Sequence, residues 1–231
     1  MLNLMRLELI KFKFESAIRG AFVATIIIFS FFVLTSYGAK GDGDFSFTSY
    51  NEIFTIIDTF VRATFIIFGA SLLAKFIVQE FTEKTVTVLF MYPINRKKLL
   101  IAKLFIVILF TFFSIVIADT IIFTLFYSVN FYFPLMSETL TMPEIKQIIL
   151  KLVMNAIAAT GMSLIPLYFG MKKYSVRSTI ISSIVIVVLV CSNSNGVSIN
   201  NIIIIPIILA CIGAIAAYMT VRKVEQVDLF L

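Results

Sequence analysis

Three ionisable residues fall inside apolar stretches of this sequence, and they are the first candidates for chemistry. Asp58 and Arg62 lie four residues apart, so on a helix they share a face and can pair. Asp119 has no partner near it in sequence. In hydrocarbon, each charge costs on the order of 2.5–3.5 kcal/mol at mid-helix unless it faces protein or water. Together the three could line a polar cavity, a subunit seam, or an ion or proton path. Equally, they could form a static pair that orients a helix bundle. The usual enzymatic chemistries find no residues here. Histidine is absent, which removes HExxH zinc sites, histidine triads and imidazole relays. There is no G-x-x-x-x-G-K-[ST] to cradle a nucleotide phosphate and no G-x-S-x-G to present a nucleophile. The expectation is a chain with no catalytic residue, no metal and no cofactor of its own. Energy for work would come from a gradient or from another chain.

The elements that position these charges follow from composition. Of 231 residues, 60% are hydrophobic and 14% charged, and the mean hydropathy is +1.05. Soluble domains carry roughly 45–50% apolar and about 25% charged residues. A soluble globule cannot hide this excess, because much of any chain must face water. The chain reads as an integral membrane protein, which excludes a soluble enzyme, a disordered regulator and a disulfide-stapled secreted domain. Its pI near 9.3 therefore bears on membrane sidedness, not on nucleic acid. Cys191 and Cys211 lie in apolar runs and are expected to be small buried residues.

A helix crossing about 30 Å of hydrocarbon needs about 20 apolar residues. Gly20–Ala39 is charge-free between Arg19 and Lys40, and Leu152–Met171 is charge-free again. No formal charge occurs between Ser178 and Val221, which is too long for one crossing; the polar run from Ser192 to Gly196 divides it. Six spans result, at about 18–38, 53–79, 99–128, 147–171, 177–192 and 200–221. The apolar runs are continuous and do not alternate, so the spans are helices, not barrel strands. Pro166 and Pro206 can kink the fourth and sixth. Thr141-Met142-Pro143-Glu144 has the pattern of a capping box opening the fourth. Residues 1–17 mix apolar and charged groups, as in a short helix lying in the interface.

With six spans both termini share a side. That side collects fifteen Lys and Arg residues, against three (Lys40, Lys146 and Lys151) on the other. By the positive-inside rule both ends are cytoplasmic. The fold class is an all-α membrane protein of six transmembrane helices, with an N-terminal interfacial helix and a further short cytoplasmic helix between spans 2 and 3.

That connection, residues 79–103, has a mixed-charge start at Glu80, Glu83 and Lys84, then an apolar stretch from Val86 to Met91. Tyr92-Pro93 and the basic triplet Arg96-Lys97-Lys98 follow. Pro93 cannot continue a helix begun upstream. Apolar residues on a cytoplasmic helix need a cover, either lipid headgroups or a protein groove. The pattern resembles the permease subunits of ABC-2 type ABC transporters. In these the second span runs into acidic-x-x-x-Gly-Thr, an apolar run, Pro-(Ile/Val)-Ser-Arg, and an apolar helix opening with Lys. This chain has Glu80, Lys84-Thr85, Val86–Met91, Pro93-Ile94-Asn95-Arg96 and Lys103; Lys84 stands where Gly is usual, and Asn95 where Ser is. Its small size and its lack of a large outer domain resemble bacitracin-resistance, lantibiotic-immunity and phenol-soluble-modulin export permeases.

The resemblance implies that residues 1–231 form a single transmembrane permease domain in a bacterial cell membrane. Glu80, Glu83, Lys84, Thr85, Val88, Pro93 and Arg96 would belong to a coupling helix docked on a separate ABC-type ATPase subunit, which binds ATP and Mg. A second permease copy or paralogue would complete a homodimer or heterodimer. The cargo would be an amphipathic peptide taken from the bilayer. Two other classes remain open: a gradient-driven transporter or channel using Asp58, Arg62 and Asp119, and a non-transporting membrane scaffold. Co-purification with a P-loop ATPase separates the first class from both.

Overall fold

The computed structural model describes residues 15–42, 50–83, 96–132, 142–191, 193–194, 197–198 and 204–227. The described residues are helical but for turns and one small hairpin. In chain order the elements are α1 (Glu15–Asp42), α2 (Tyr50–Leu73), a π-helical turn (Ala74–Val78), α3 (Gln79–Thr82), α4 (Arg96–Tyr132), α5 (Met142–Met162), α6 (Ile165–Lys173), α7 (Val176–Cys191), the strands β1 (Asn193–Ser194) and β2 (Val197–Ser198), and α8 (Ile204–Val227). Four stretches are long and apolar enough to cross a membrane: Glu15–Thr35, Tyr50–Thr82, Lys97–Asn130 and Met142–Lys173. Val176–Cys191 and Ile207–Arg222 are shorter apolar helices. At 1.5 Å per residue, the 37 residues of α4 extend about 55 Å, well beyond the hydrocarbon core.

Large apolar side chains face outward over most of this bundle. Phe22, Leu34, Ile181, Leu189 and Tyr218 are all at least 60% exposed. In water such a surface would aggregate; in a bilayer it is solvated by acyl chains. Helix α2 is the hub, packing against α1, α4, α5 and α7. Its buried face runs through Ile53, Ile57, Val61, Phe65 and Leu72 at helical spacing. By contrast, α1 touches the bundle along one seam, where Thr25, Ile28 and Phe32 are buried.

One core cluster joins Leu72–Val78 to Leu100, Leu104, Leu167, Met171 and Ala217. Another joins Ile53–Ile66 to Ile115–Phe126, Ala156–Met162 and Val190. Successive long helices therefore run in opposite directions, and the end of α3, the start of α4 and the turn between α6 and α7 lie together.

The expected kink at Pro166 is a break. Pro166 has no N–H to give Met162, so α5 ends there and α6 begins with Pro166 in its first turn. Leu164 and Leu167 close the gap with tighter bonds, to Gly161 O (3.1 Å) and Leu164 O (3.1 Å). Pro206 begins no such break, and α8 runs through it. The polar run after Cys191 forms a hairpin, pairing Asn193 with Ser198 and Ser194 with Val197. Residues 1–14 and Thr141 lie outside the described residues, so the interfacial helix and the capping box do too. Cys211 is exposed, contrary to the expectation of burial, because that face of α8 looks outward; Cys191 is partly buried, and both are free thiols.

The α5–α8 crossing depends on two glycines. A Cβ on Gly213 would lie 1.9 Å from Gly161 O, and one on Gly161 2.5 Å from Ala210 Cβ. Backbones this close need the small-residue packing common between membrane helices. Gly213→Val is expected to separate α8 from α5, costing about 1–3 kcal/mol by overpacking. A lowered thermal unfolding midpoint in detergent checks this, with the surface variant Ile215→Val as the unchanged control.

Candidate functional site

Two polar clusters interrupt the apolar bundle. The first closes the base of the connection between α3 and α4. Lys103, one to two turns into α4, is 3% exposed and forms an ion pair with Glu80 across 23 residues of sequence. Its ammonium also donates to Phe76 O at 3.2 Å. Phe76 lies within the π-helical turn, where the i→i−4 bonding ladder is replaced locally. Lys103 thus bonds to both the irregular turn of one helix and the carboxylate that follows it. The two strands of chain entering the 84–95 segment are clasped to each other.

A third connection meets them. Thr82 Oγ1 donates to Tyr174 O at 2.7 Å, and the rings of Phe81 and Tyr174 lie 6.4 Å apart. Tyr174 caps α6 with φ 46°, a left-handed conformation that β-carbons disfavour. Gly170 makes the approach possible: a Cβ there would lie 2.0 Å from Thr179 Oγ1 and 3.1 Å from a methyl of Val78.

Of the residues expected to couple to an ATPase, Glu80 is turned inward to Lys103. Glu83 is exposed and accepts from Gln79 Nε2 at 2.7 Å. Arg96 opens α4. Lys84, Thr85, Val88 and Pro93 lie outside the described residues.

The second cluster sits within the membrane-spanning part. Asp58 and Arg62 are 1% and 2% exposed. Arg62 Nη2 pairs with Asp58 Oδ2 at 2.7 Å, and Arg62 Nε donates to Asp58 O at 3.3 Å. Asn155 on α5 donates to the same Oδ2 at 2.9 Å. Asp119 on α4 is wholly buried and close enough to feel both the Asp58 carboxylate and the Arg62 guanidinium. Neither of its oxygens has a hydrogen-bond partner, and nor does Asp58 Oδ1. Sequence spacing identified the pair on α2. The meeting with Asp119, and the part of Asn155, come from packing. The one available hint was Asn155 as the only amide in the charge-free Leu152–Met171 stretch.

Between α1 and α4 lies an apolar groove of about 340 Å³. Phe22, Phe29, Phe65, Phe110 and Phe113 line it, with Thr25 and Ser114 as its polar groups. It runs along the seam where α1 leaves most of its surface uncovered.

These features define a helical membrane protein with a braced connection at one end of the bundle and buried charge within it. Residues 4–192 match the family model described as "ABC-2 family transporter protein", and the chain belongs to that family. It is thus a membrane subunit of the ABC transporter type, whose members work with an ATPase subunit. A relative from Bacillus subtilis (strain 168), named "Uncharacterized protein YcbO", is 45% identical over 227 residues, which is 98% of this chain and all of that protein. No solved structure matches the chain.

Proposed function

We propose that this chain is the permease of an exporter that moves amphipathic antimicrobial or cytolytic peptides, or similar membrane-active compounds, out of a bacterial cell membrane. The observation that carries this reading is the groove between α1 and α4. Its walls are almost entirely aromatic and aliphatic, and it lies on the lipid-facing flank, not along a polar axis. A cargo already dissolved in the bilayer reaches such a groove sideways and gives up little hydration on entry. A polar solute would lose its hydrogen bonds there.

In this reading six helices cross the membrane, both termini are cytoplasmic, and the basic end of the bundle carries the 84–95 segment to the ATPase. ATP and Mg reside on that partner. Two permease chains, identical or paralogous, complete the transporter. The Lys103–Glu80 clasp carries the closure of the ATPase dimer into α2 and α4, because both helices are held at its base. A second reading, transport driven by an ion or proton gradient, draws on the buried Asp58–Arg62–Asp119 cluster. In that case transport would follow the gradient and ignore ATP.

The test is isolation in mild detergent with the products of adjacent genes, followed by reconstitution with a P-loop ATPase that co-purifies. Amphipathic helical peptides are expected to raise ATP hydrolysis several-fold, and Phe113→Glu in the groove to remove the stimulation while leaving basal hydrolysis. Glu83→Lys is expected to weaken ATPase docking without disturbing insertion. It is a cleaner probe than a change at Glu80, which would also break the clasp. An ATPase that neither co-purifies nor responds to peptide would refute the reading.

A further inference from the structure

The two apolar clusters of the bundle are stacked along its helices, and a common level divides them. On α2 the buried members of one end at Ile66, and those of the other begin at Leu72. On α4 the division falls between Val107 and Ile115. Met162, the last residue of α5, belongs to the cluster of Ile66, and Leu164, just before α6, to the cluster of Leu72.

The groups buried between the clusters are small or polar. A Cβ on Gly69 would lie 2.9 Å from Thr111 Oγ1 and 3.3 Å from Ser163 Oγ, so hydroxyls from α4 and from the α5–α6 junction converge on the backbone of α2. Gly213 of α8 approaches Gly161 O beside the same junction. Large interlocking side chains would key the two clusters together; this level has few of them, and half-buried Phe68 is the ring that packs against both.

Two further observations mark the level as loosely held. Thr111 is 1% exposed, yet its Oγ1 has no hydrogen-bond partner. Buried hydroxyls in that state are rare in native proteins. The α5–α6 helix is also cut here. Pro166 brings no N–H to Met162 O, and Leu167 N bonds to Leu164 O, within its own turn. Beyond the cut, α6 is tied to the clasp end of the bundle. Thr82 Oγ1 donates to Tyr174 O, and a Cβ on Gly170 would lie 3.1 Å from Val78.

We propose that Gly69, Thr111 and Ser163 mark a layer at which the bundle flexes as two packed bodies. One body holds the Lys103–Glu80 clasp and α6; the other holds α5 and the Asp58–Arg62 pair. The α5–α6 junction is the hinge. Packed cores switch between discrete arrangements and do not deform continuously. In the second arrangement Thr111 Oγ1 donates to a carbonyl at the break, as Ser and Thr do beside proline in other membrane helices. The inference goes beyond the export reading and does not depend on it, since the layer would pass any displacement of the clasp end to mid-membrane, whatever drives it.

The test uses full-length protein carrying Cys191→Ala and Cys211→Ala, nitroxide-labelled in pairs at exposed positions and placed in lipid nanodiscs. Leu34→Cys with Phe169→Cys spans the layer, and Leu34→Cys with Ile149→Cys stays on one side of it. Pulsed electron–electron spectroscopy is expected to give the spanning pair a distance distribution at least twice as wide as the control, or two peaks. Pro166→Ala restores an N–H at the break and is expected to narrow the distribution to the control width. Thr111→Val keeps the shape of the side chain but removes the hydroxyl, and is expected to leave one arrangement, with no loss of thermal stability. If Pro166→Ala fails to fold, the response to Thr111→Val decides. A spanning pair as narrow as the control, or a width that neither variant changes, would overturn the proposal. So would a control pair equally wide, because the motion would then belong to α1.

Discussion

Lys103→Met is expected to destabilise the protein by about 3 kcal/mol and to uncouple transport from ATP hydrolysis. The size follows from burial. Lys103 is 3% exposed and its partner Glu80 14%. Removing one member of a buried ion pair strands the other, at a cost of about 3–5 kcal/mol. Partial access of water to Glu80 places the loss at the lower end. Phe76 O loses a donor as well, in a π-helical turn where the helix ladder is already irregular.

The double variant Glu80→Met/Lys103→Met separates stability from transmission. Replacing both charges of a buried pair by apolar groups of similar size is close to neutral, or even stabilising. The double variant should therefore unfold near the wild-type midpoint. If the clasp transmits motion from the 84–95 segment to α2 and α4, the stable double variant still hydrolyses ATP with little transport. If the clasp is only a structural brace, transport returns with stability. A single variant that unfolds like wild type would sink the account of the clasp altogether.

How far the sequence could anticipate this arrangement depends on the range of the interactions. The helices are legible because each apolar run is a local property, and the ends of runs are marked by charge. Asp58 and Arg62 are legible for the same reason, since their spacing places them on one face before any packing is known. Pro166 and Pro206 both marked possible kinks, since a missing N–H is local to each residue, but only Pro166 breaks its helix and α8 runs through Pro206. The π-helical turn at Ala74–Val78 carries no comparable mark. It coincides with the bond from Lys103 of α4 to Phe76 O and with the close approach of Gly170 to Val78, and neither contact is local. Glu80 shows the same limit. Its position in a mixed-charge break placed it on a coupling helix expected to dock on the ATPase, yet its partner lies 23 residues away on another helix of the same chain. Only the fold reveals that it points inward. Asp119 was read as lacking a neighbour, which holds along the chain but not across it, since α2 and α4 pack side by side.

Arg62→Met is expected to have the larger effect of the two, a loss of about 3–5 kcal/mol and poor accumulation in the membrane. The guanidinium is the only positive group placed against Asp58 in the described structure, at 2.7 Å, and it also acts on Asp119. Without it, Asp58 is buried with Asn155 as its remaining donor among the described residues, and Asp119 is buried with none. Asp58→Asn in the same chain should restore much of the stability, because one carboxylate is then gone and an amide can still bond to Asn155. The exchange variant Asp58→Arg/Arg62→Asp asks a different question. It keeps both charges on one helix face at i, i+4 and so preserves a pair, but it moves the carboxylate one turn along α2, away from Asn155 and out of register with Asp119. A fold held merely by a static pair tolerates this, unfolding close to the wild-type midpoint and exporting normally. A transport path that needs the Asp58 carboxylate at its own place beside Asn155 does not. The exchanged protein then folds and transports at least tenfold more slowly. Normal export by the exchanged protein would reduce the cluster to a packing device, and slow export by a stably folded exchange would make it part of the transport cycle.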